Sequence, residues 1–448
     1  MTSNDKNATH SLKVQQAAVI KQLISFIQAA VTPFHAVQEM ARQLEQVGFL
    51  YLDEKCAWHV KPAGKYYTTR NGSSIVAWQM PADKPLESSG FRMVGAHTDS
   101  PCLKVKPNPE IVSKGYLQLG VQVYGGVLLA PWFDRDLSLA GRVSFLDDDD
   151  KVVSRLVNFD KAIAIIPSLA IHLNREANSG MDINAQTMVT PIIGQLKNWQ
   201  TDNKEPILLK DILKDKLLSD DVAVKQVLDF DLSFYDVQAP ASIGFHDELF
   251  ASARLDNLLS CFMGLQALLN SDSQHGVLFV SNDHEEVGSA SAAGAQGPML
   301  EQVLKRLTST NEQFDIMIAN SMMISADNAH GVHPNFVDKH DANHGPILNA
   351  GPVIKVNANQ RYASNDITSA MFKQFAAKVN VPVQSFVVRA DMACGSTIGP
   401  ITATELGVKT LDIGVPQFAM HSIREQAGCS DIVNTIKVLK HYFNEEHV

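Results

Sequence analysis

The chain has 448 residues, enough for two or three domains with well-buried cores. Apolar residues make up 45% of it and charged residues 19%, the balance of an ordinary globular protein. The formal net charge of -10 and a sequence pI of about 5.8 argue against nucleic acid, or an anionic membrane surface, as the main partner.

The first part of the chain mixes helical and strand patterns. Apolar residues at helical spacing predict an amphipathic helix over 12–31, followed by the breaker Pro33, and a second helix over 35–49. Strands are predicted at 73–80 and 91–97. From about residue 104 to 236 the chain is rich in Val, Gly, Asp and turn residues, which predicts a β-rich segment of hairpins. The four aspartates at 147–150 then form a solvated turn.

Helices and strands alternate after about residue 245. Helices are predicted at 255–269, 297–307, 369–380 and 431–444, and strands at 276–280, 315–327, 383–391 and 409–414. This alternation predicts an α/β fold with a mostly parallel central sheet flanked by helices. The β-rich segment, residues 104–236, is inserted into a discontinuous α/β domain formed by 1–103 and 237–448.

The cysteines and the apolar segments bear on location. The chain has five cysteines, scattered and without a C-x-x-C pair, namely Cys56, Cys102, Cys261, Cys394 and Cys429. That pattern is neither a disulfide framework nor a thiolate zinc site, and it favours a reducing compartment. The N-terminus lacks the apolar region of a signal peptide, and no stretch reaches about eighteen consecutive apolar residues. We expect a soluble protein of the cytoplasm.

Acidic and imidazole side chains follow the predicted strands at the point where each strand ends, or stand just ahead of a helix. They are His97, Asp99, Asp256, Glu285, Glu286, Asp327 and His421. A single one of these residues is most simply a cap or turn residue. Several at equivalent ends of one sheet indicate a ligand site, because open α/β sheets bind ligands beyond the carboxyl ends of their strands.

These residue types favour a metal site. Imidazoles and carboxylates without a thiolate suit Zn²⁺, with Mn²⁺ or Co²⁺ as alternatives. Two ions about 3.5–4 Å apart need a bridging carboxylate, and Asp256, at the start of a helix, is placed for that. Asp99 lies two residues after His97 and is able to accept its second imidazole N–H. Of the pair Glu285 and Glu286, one carboxylate ligates while the other moves a proton, unless residues 283–286 are only an acidic surface turn.

Three other features carry less weight. The small residues of "GSASAAGA" lack the lysine of a phosphate loop and indicate close packing of a helix on the sheet. Cys394 lies in a predicted helix-capping turn and is not expected to be a nucleophile. His330 and His333 lie near Asp327, where they either bond to ligand carboxylates or have a structural role.

Several segments resemble a known family. "VGAHTDSPCLKVKP", "ARLDNLLS", "NDHEEVGSASAAGA", "SADNAHGVHPN", "NQRYASND" and "QFAMHSIRE", in this order, are similar to the aspartyl-aminopeptidase family of dinuclear zinc metalloaminopeptidases. The resemblance runs from about residue 20 to the C-terminus. It implies a zinc-peptidase-like catalytic domain interrupted by a β-rich dimerisation domain. It also implies an enzyme that removes N-terminal amino acids from peptides by two-metal activation of water.

The resemblance also implies roles for individual residues. It places one metal on His97 and Asp327, the other on Glu286 and His421, Asp256 between them, Glu285 as general base, and Asp99 as the partner that orients His97. It further implies a homo-oligomer, a dodecamer built of dimers, in which peptides with a free N-terminus reach an inner cavity. His172, in "IPSLAIHLNR", would enter the active site of a neighbouring subunit.

Two alternatives and one departure from the family pattern remain open. A related dinuclear hydrolase, such as a carboxypeptidase or deacylase, would accept an N-acetylated peptide, and a catalytically dead cage protein would cleave nothing. Selectivity for an acidic first residue needs a cation in a site lined by carboxylates. Where acid-selective members carry a lysine, this chain has the neutral Asn359, with Arg361 nearby, which predicts a broader substrate range.

Overall fold

The computed structural model describes residues 3–200 and 207–448, and the chain forms two compact units. The first, here called the α/β unit, consists of the chain up to Ser100, Pro240–Met420 and Glu425–Val448. The second, here called the β unit, consists of Pro101–Ala239 and the short segment His421–Arg424. None of the helices in the described residues is long and apolar enough to span a membrane.

The helices lie mainly in the α/β unit. They are α1 (Ser3–Ala29), α2 (Pro33–Gln46), α3 (Leu86–Ser89), α4 (Leu209–Ser219), α5 (Leu255–Leu269), α6 (Met299–Arg306), α7 (Asn311–Ala319), α8 (Asp366–Lys378), α9 (Ile398–Leu406) and α10 (Cys429–Phe443).

The strands form three sheets. They are β1 (Leu50–Tyr51), β2 (Lys65–Arg70), β3 (Ser74–Gln79), β4 (Phe91–His97), β5 (Cys102–Ser113), β6 (Tyr116–Tyr124), β7 (Leu137–Leu146), β8 (Val152–Asn158), β9 (Ile192–Gln195), β10 (Gln226–Asp236), β11 (Ala241–Ile243), β12 (Leu249–Ser252), β13 (Gly276–Asn282), β14 (Met322–Ala326), β15 (Ala329–His330), β16 (Val353–Lys355), β17 (Gln384–Phe386), β18 (Lys409–Gly414), β19 (Pro416–Phe418) and β20 (Glu425–Gly428).

The central sheet of the α/β unit has nine strands in the order β1-β2-β3-β13-β4-β14-β18-β16-β17. Its middle strands β13, β4, β14 and β18 are parallel to one another. Their register is close to even, with Asn282 opposite His97 and Ala326 opposite Ile413. The carboxyl ends of these four strands therefore meet at one edge of the sheet, where an α/β fold places its ligands.

Helices cover both faces of this sheet, as its continuous apolar strands require. One core contains buried side chains from α1, α2, α5, α8 and α10, and a second contains side chains from α3, α6 and α7. Strands β13 and β4 are buried along their whole length. A five-stranded sheet, in the order β11-β12-β20-β19-β15, completes the α/β unit.

Two predicted strands of the α/β unit are strands only in part. Of residues 383–391, only Gln384–Phe386 is a strand. The apolar segment 315–327 was predicted as a single strand, but its first residues belong to α7 and only Met322–Ala326 is a strand. Thr310 caps α7 by accepting a hydrogen bond from the main-chain N–H of Gln313. This N-cap satisfies a main-chain donor that a helix start would otherwise leave open. The spacing of apolar residues in a short run does not distinguish a strand from a buried helix. The N-cap at Thr310 is the sequence feature that favours the helix here.

The β unit contains a six-stranded sheet in the order β8-β7-β10-β5-β6-β9, with antiparallel pairing throughout. Apolar side chains of these strands form its core together with Leu209, Leu213 and Leu217 of α4. The prediction of a purely β-rich segment missed this helix. Asp147 accepts main-chain hydrogen bonds from Asp149 and Lys151, which closes the exposed acidic turn between β7 and β8.

A candidate metal centre at the carboxyl edge of the central sheet

The carboxyl edge of the central sheet brings most of the predicted site residues together. His97 is the last residue of β4, and Asp327 directly follows β14. Glu285 and Glu286 begin a short 3-10 turn, Glu285–Val287, that follows β13. His284, just before this turn, has a left-handed backbone conformation with φ of 65°. The chain thereby turns sharply, and both glutamates lie within reach of His97.

Asp256 is held at the site by its main chain. It lies near the start of α5, but its ψ of 103° is not helical. Its N–H donates a hydrogen bond to Glu425 Oε2 (3.0 Å), and its carbonyl accepts one from the hydroxyl of Ser100 (2.5 Å). Asn328 Nδ2 donates to the carbonyl of Leu255, one residue earlier (2.7 Å). Glu425 is buried and was missed by the sequence analysis, although it ends the "QFAMHSIRE" segment.

The ligand atoms are spaced as a zinc ion requires. His97 Nε2 lies 3.3 Å from Asp256 Oδ1 and 3.6 Å from Asp327 Oδ1. Zinc bonds of about 2.0–2.2 Å in tetrahedral geometry separate neighbouring ligand atoms by roughly 3.3–3.6 Å. Ligand atoms of His97, Glu285 and Glu286 also lie within 4.8 Å of one another. The side chains present therefore fit a zinc ion in both spacing and chemistry.

Asp99 contacts three residues of the site at once. His97 Nδ1 lies 3.3 Å from Asp99 Oδ1 and 3.1 Å from the main-chain oxygen of Asp99. The other two contacts are main-chain N–H groups, because Glu285 donates to Asp99 Oδ1 and Glu286 donates to Asp99 Oδ2, both at 3.1 Å. A carboxylate on Nδ1 fixes the ring so that Nε2 faces the site. The same carboxylate sets the position of the turn that carries both glutamates.

The glutamates of this cluster resist ionisation. Burial raises the pKa of Glu285 to about 7, and the charges of Asp327, Asp256 and Asp99 act in the same direction. Burial and Asp256 raise the pKa of Glu286 well above its usual range. Carboxylates crowded in a low-dielectric site repel one another, and a cation among them removes the repulsion. This electrostatic strain is a second reason to expect a divalent metal.

A buried lysine lies beside the centre and was also missed. Lys355 Nζ donates to Asp327 Oδ2 (3.1 Å) and to the carbonyl of Asn328 (3.1 Å). Despite burial, Lys355 and His97 hold the pKa of Asp327 well below its usual range. From the sequence, a cation for an acidic substrate was expected at position 359, which here is the neutral, exposed Asn359, and Lys355 was not predicted. Lys355 lies four residues before Asn359, and a lysine in an otherwise apolar strand was the local pattern that could have indicated it.

Two of the predicted residues belong to the β unit. His421 has φ of 68°, its Nδ1 lies 3.0 Å from the carbonyl of Gly126, and its own carbonyl accepts from Leu128 N. When Nδ1 donates to this carbonyl, Nε2 is the nitrogen of this imidazole that is able to ligate a metal. His172 is exposed in the loop that follows β8, beside the exposed Ile171 and Leu173.

Comparisons with known proteins agree with this fold and site. A family model described as aminopeptidase I zinc metalloprotease (M18) matches residues 26–443. A probable M18 family aminopeptidase 2 of Pseudomonas aeruginosa is 57% identical, over 96% of this chain and 98% of that protein. Ape4, in its complex with Nbr1, superposes with a TM-score of 0.92 at 38% identity, over 96% of this chain and 86% of that one. The S. cerevisiae mApe1 dodecamer gives 0.81 at 28% identity, over 95% and 96%.

The α/β fold, with imidazole and carboxylate groups at the carboxyl edge of its sheet, is that of a zinc-peptidase-like hydrolase. The chain belongs to the M18 family of aminopeptidase I zinc metalloproteases. It is a metalloaminopeptidase, as the resemblance of its motifs predicted. The family thus favours aminopeptidase chemistry over the carboxypeptidase, deacylase and dead-cage alternatives.

Proposed function

We propose that this metalloaminopeptidase removes N-terminal residues with two zinc ions in each subunit. One ion would be held by His97 and Asp327 and the other by Glu286 and His421, with Asp256 shared between the two. The observation that carries the proposal is the convergence of His97, Asp256 and Asp327 at zinc-like spacing, with Glu285 and Glu286 beside them. When bound, the ions lower the pKa of water and polarise the scissile carbonyl.

Glu285 is the general base in this proposal. Its carboxylate lies beside His97 and Glu286, where it is placed to take a proton from the attacking water and return it to the leaving amine. The main-chain N–H of Glu285 is held by Asp99, which fixes the place from which its carboxylate acts. Glu285 Oε2 lies 3.9 Å from His97 Nε2, so the proposed base is beside the proposed metal ligands.

Asp99, Lys355 and Glu425 act as positioning residues. Asp99 orients His97 and the glutamate turn, and Glu425 holds the main chain of Asp256. Lys355 engages one oxygen of Asp327, so that the other oxygen, Oδ1, faces His97 Nε2. A carboxylate held in this way offers a single oxygen in a fixed direction, as a small, regular coordination shell requires.

The active assembly is a homo-oligomer, a dodecamer built of dimers, with the β unit as dimerisation domain and His172 entering a neighbouring subunit's site. Support comes from the related mApe1 dodecamer and from the exposed apolar residues around His172. Sites that face an inner cavity admit peptides with a free N-terminus and exclude folded proteins. We place the enzyme in the cytoplasm, in keeping with its five free cysteines.

The next point is which N-terminal residues of the substrate the enzyme accepts. The reason for expecting a broad range was a neutral residue at position 359, yet Lys355 puts a cation beside Asp327. That ammonium group is already engaged by Asp327 and by the carbonyl of Asn328. We propose that neutral residues such as Leu and Ala are accepted alongside Asp and Glu. A preference for acidic residues above roughly a hundredfold would show instead that a cation, Lys355 or Arg361, serves the substrate.

The test of the proposed function combines metal analysis with a panel of substrates. Purified protein should contain zinc, with about two ions per chain, and should cleave aminoacyl nitroanilides. N-acetylation of the same substrates should abolish cleavage, because the free amine is part of what the site recognises. Cleavage of N-acetylated substrates, or zinc-loaded protein that cleaves none of the panel, would overturn the proposal.

A further inference from the structure

The turn that carries both glutamates depends on the backbone conformation of one residue. His284 joins β13 to the turn Glu285–Val287 and is left-handed, with φ of 65° and ψ of 22°. A residue with a Cβ atom is uncommon in this conformation, whereas glycine adopts it without steric cost. The chain has a histidine where glycine would fit, so the contacts of the imidazole decide what this residue contributes.

The imidazole of His284 has a polar group on each side. Its Nδ1 lies 2.8 Å from the hydroxyl oxygen of Ser291, and its Nε2 lies 3.5 Å from Oδ2 of Asp283. The same hydroxyl oxygen of Ser291 accepts a hydrogen bond from the main-chain N–H of Gly294 (2.9 Å). The ring therefore links the glutamate turn to the loop 288–297.

This loop contains the small residues of "GSASAAGA", at 288–295, and the helix expected there begins only at Met299. The loop is attached to the central sheet by a buried hydrogen bond, in which the hydroxyl of Ser74, on β3, donates to the carbonyl of Ala293 (2.7 Å). A hydroxyl on a loop that is itself held by the sheet is a fixed partner. Ser291 thus gives the imidazole of the turn a defined position.

The carboxylate of Glu285 is the group whose position depends on this turn. In the described part of the chain it accepts no hydrogen bond, and His97 Nε2 lies 3.9 Å from its Oε2. Asp99 holds only the main-chain N–H groups of Glu285 and Glu286. The backbone that carries Glu285 therefore sets where its carboxylate lies. A displacement of about 1 Å at a reacting group can cost roughly 10²-fold in rate.

We infer that His284, hydrogen-bonded to Ser291, is a positioning residue that holds the left-handed turn and so directs the carboxylate of Glu285 toward the attacking water. Asp99 fixes the main chain of the turn on one side, and the imidazole fixes it to the loop 288–297. The imidazole acts through the backbone and takes no part in proton transfer. The inference rests on the proposed function, because it concerns the base of that reaction.

His284→Gly tests this role, because glycine is able to keep the left-handed backbone while the imidazole is removed. In the zinc-loaded enzyme, kcat for Leu-p-nitroanilide should fall about tenfold, the scale of one lost hydrogen bond, and KM should change by less than about twofold. The Tm should stay close to that of the wild type, because relief of the left-handed strain offsets the lost hydrogen bond. An unchanged kcat, or a loss confined to KM, would overturn the inference.

Ser291→Ala removes the partner of the imidazole and leaves residue 284 intact. The kcat should fall by about threefold to tenfold, and Ser291→Thr, which keeps a hydroxyl, should restore most of it. Ser88→Ala is the matched control, since its hydroxyl donates to the carbonyl of Pro85 (3.0 Å) near the amino end of β4, and kcat should be unchanged. A fully active Ser291→Ala protein, or equal losses in the Ala and Thr variants, would contradict the inference.

A double variant separates this inference from the proposed function. Added to Glu285→Gln, His284→Gly should lower kcat by less than about twofold further, because the carboxylate that it positions is already absent. A full additional tenfold loss would show that the imidazole acts elsewhere and not through Glu285. Failure of the proposed function gives a different result, namely a Glu285→Gln protein as active as the wild type.

Discussion

The two ends of strands β4 and β14 both bury polar groups. At the amino end these groups are hydrogen-bonded within the protein, whereas at the carboxyl end carboxylates lie close to one another. At the amino end, Arg92 is 1% exposed, and its guanidinium donates to the carbonyls of Ser89, Glu445 and Glu446. The hydroxyl of Tyr442, on α10, donates to the carbonyl of Met322 and accepts from the N–H of Met93. Every contact here joins a side chain to a main chain, and the C-terminal segment closes the end of the sheet.

At the carboxyl end of the same strands, carboxylates face one another and the imidazole of His97. The pKa of Glu285 and that of Glu286 are both raised by burial and by neighbouring acids, so the protein alone does not neutralise this cluster. A structural buried charge is surrounded by its own partners, whereas a functional one is arranged for a partner that comes from outside. The comparison predicts that mutations at the two ends have effects of different kinds.

The largest expected effect is at the carboxyl end. Glu285→Gln should lower kcat by roughly 10²–10⁴-fold, the usual share of a general base, while zinc content stays near that of the wild type. Glu286→Ala should instead lose zinc, because a ligand is removed. Zinc analysis and nitroanilide hydrolysis distinguish the two. Zinc-free Glu285→Gln protein, or a fully active and zinc-replete Glu286→Ala protein, would show that the roles are assigned wrongly.

At the amino end, the effect should be on stability. Arg92→Met removes the donor shared by the carbonyls of Ser89, Glu445 and Glu446, and we expect a loss of about 2–4 kcal/mol in the free energy of unfolding. Urea unfolding measures this loss, and kcat per folded molecule at low temperature should stay within about twofold of the wild type. Arg42→Met, at the exposed i,i+3 pair with Glu39, is the matched control and should cost less than about 0.5 kcal/mol. A drop in kcat of Arg92→Met without a loss of stability would contradict the predicted difference between the two ends of the strands.

The carboxyl group of Asp431 extends this comparison. Its pKa resembles that of Glu285, but its oxygens accept hydrogen bonds from main-chain N–H groups instead of facing other carboxylates. Burial raises the pKa of Asp431 to about 7, although its oxygens accept hydrogen bonds from the N–H groups of Asn349 and Gly351. A folded-state pKa above the usual 3.8 makes the folded protein take up a proton. The stability due to this carboxyl therefore falls as pH rises from about 4 to about 7, and is not regained above that range.

Asp431→Asn should flatten this dependence. Between pH 5 and pH 8 the free energy of unfolding should change by about 1–3 kcal/mol less in the variant than in the wild type. Urea unfolding at several pH values is the measurement, and the slope is compared because the amide also alters the hydrogen bonds to Asn349 and Gly351. Zinc content and kcat should remain those of the wild type. An identical slope in the two proteins would mean that Asp431 ionises normally.

The smallest expected effect concerns the loop of the β unit. If His172 acts in a neighbouring subunit, His172→Ala and Glu285→Gln proteins should each be poorly active. Mixed under conditions in which subunits exchange, they should recover about one quarter of wild-type activity, since half of the dimers are mixed and each has one complete site. Leu173→Ala, next to His172, mixed in the same way with Glu285→Gln, serves as control. No recovery despite proven exchange would place His172 outside the neighbouring site.

Much of the molecule was determined by local sequence. The parallel strands β4, β13 and β14 are apolar runs ended by acidic or imidazole residues, and such runs mark both the sheet and its ligand edge. His97, Asp256, Glu285, Glu286 and Asp327 could therefore be named as candidates before the fold was known, Asp256 from its place at the start of a predicted helix. The β-rich character of residues 104–236 was also predicted from the sequence, since alternation and turn residues are local signals.

Tertiary structure decided what depends on partners distant in sequence. Glu425 contacts Asp256 over a separation of 169 residues, and no local pattern distinguishes it from other charged residues. Lys355 contacts Asp327 over 28 residues, and its place in an apolar strand does not show which carboxylate it meets. The same holds for Arg92, whose carbonyl partners include Glu445 and Glu446. A side chain's residue type is set by the sequence, but its solvent exposure and its hydrogen-bond partners are set by packing, and these decide whether a polar group is structural or functional.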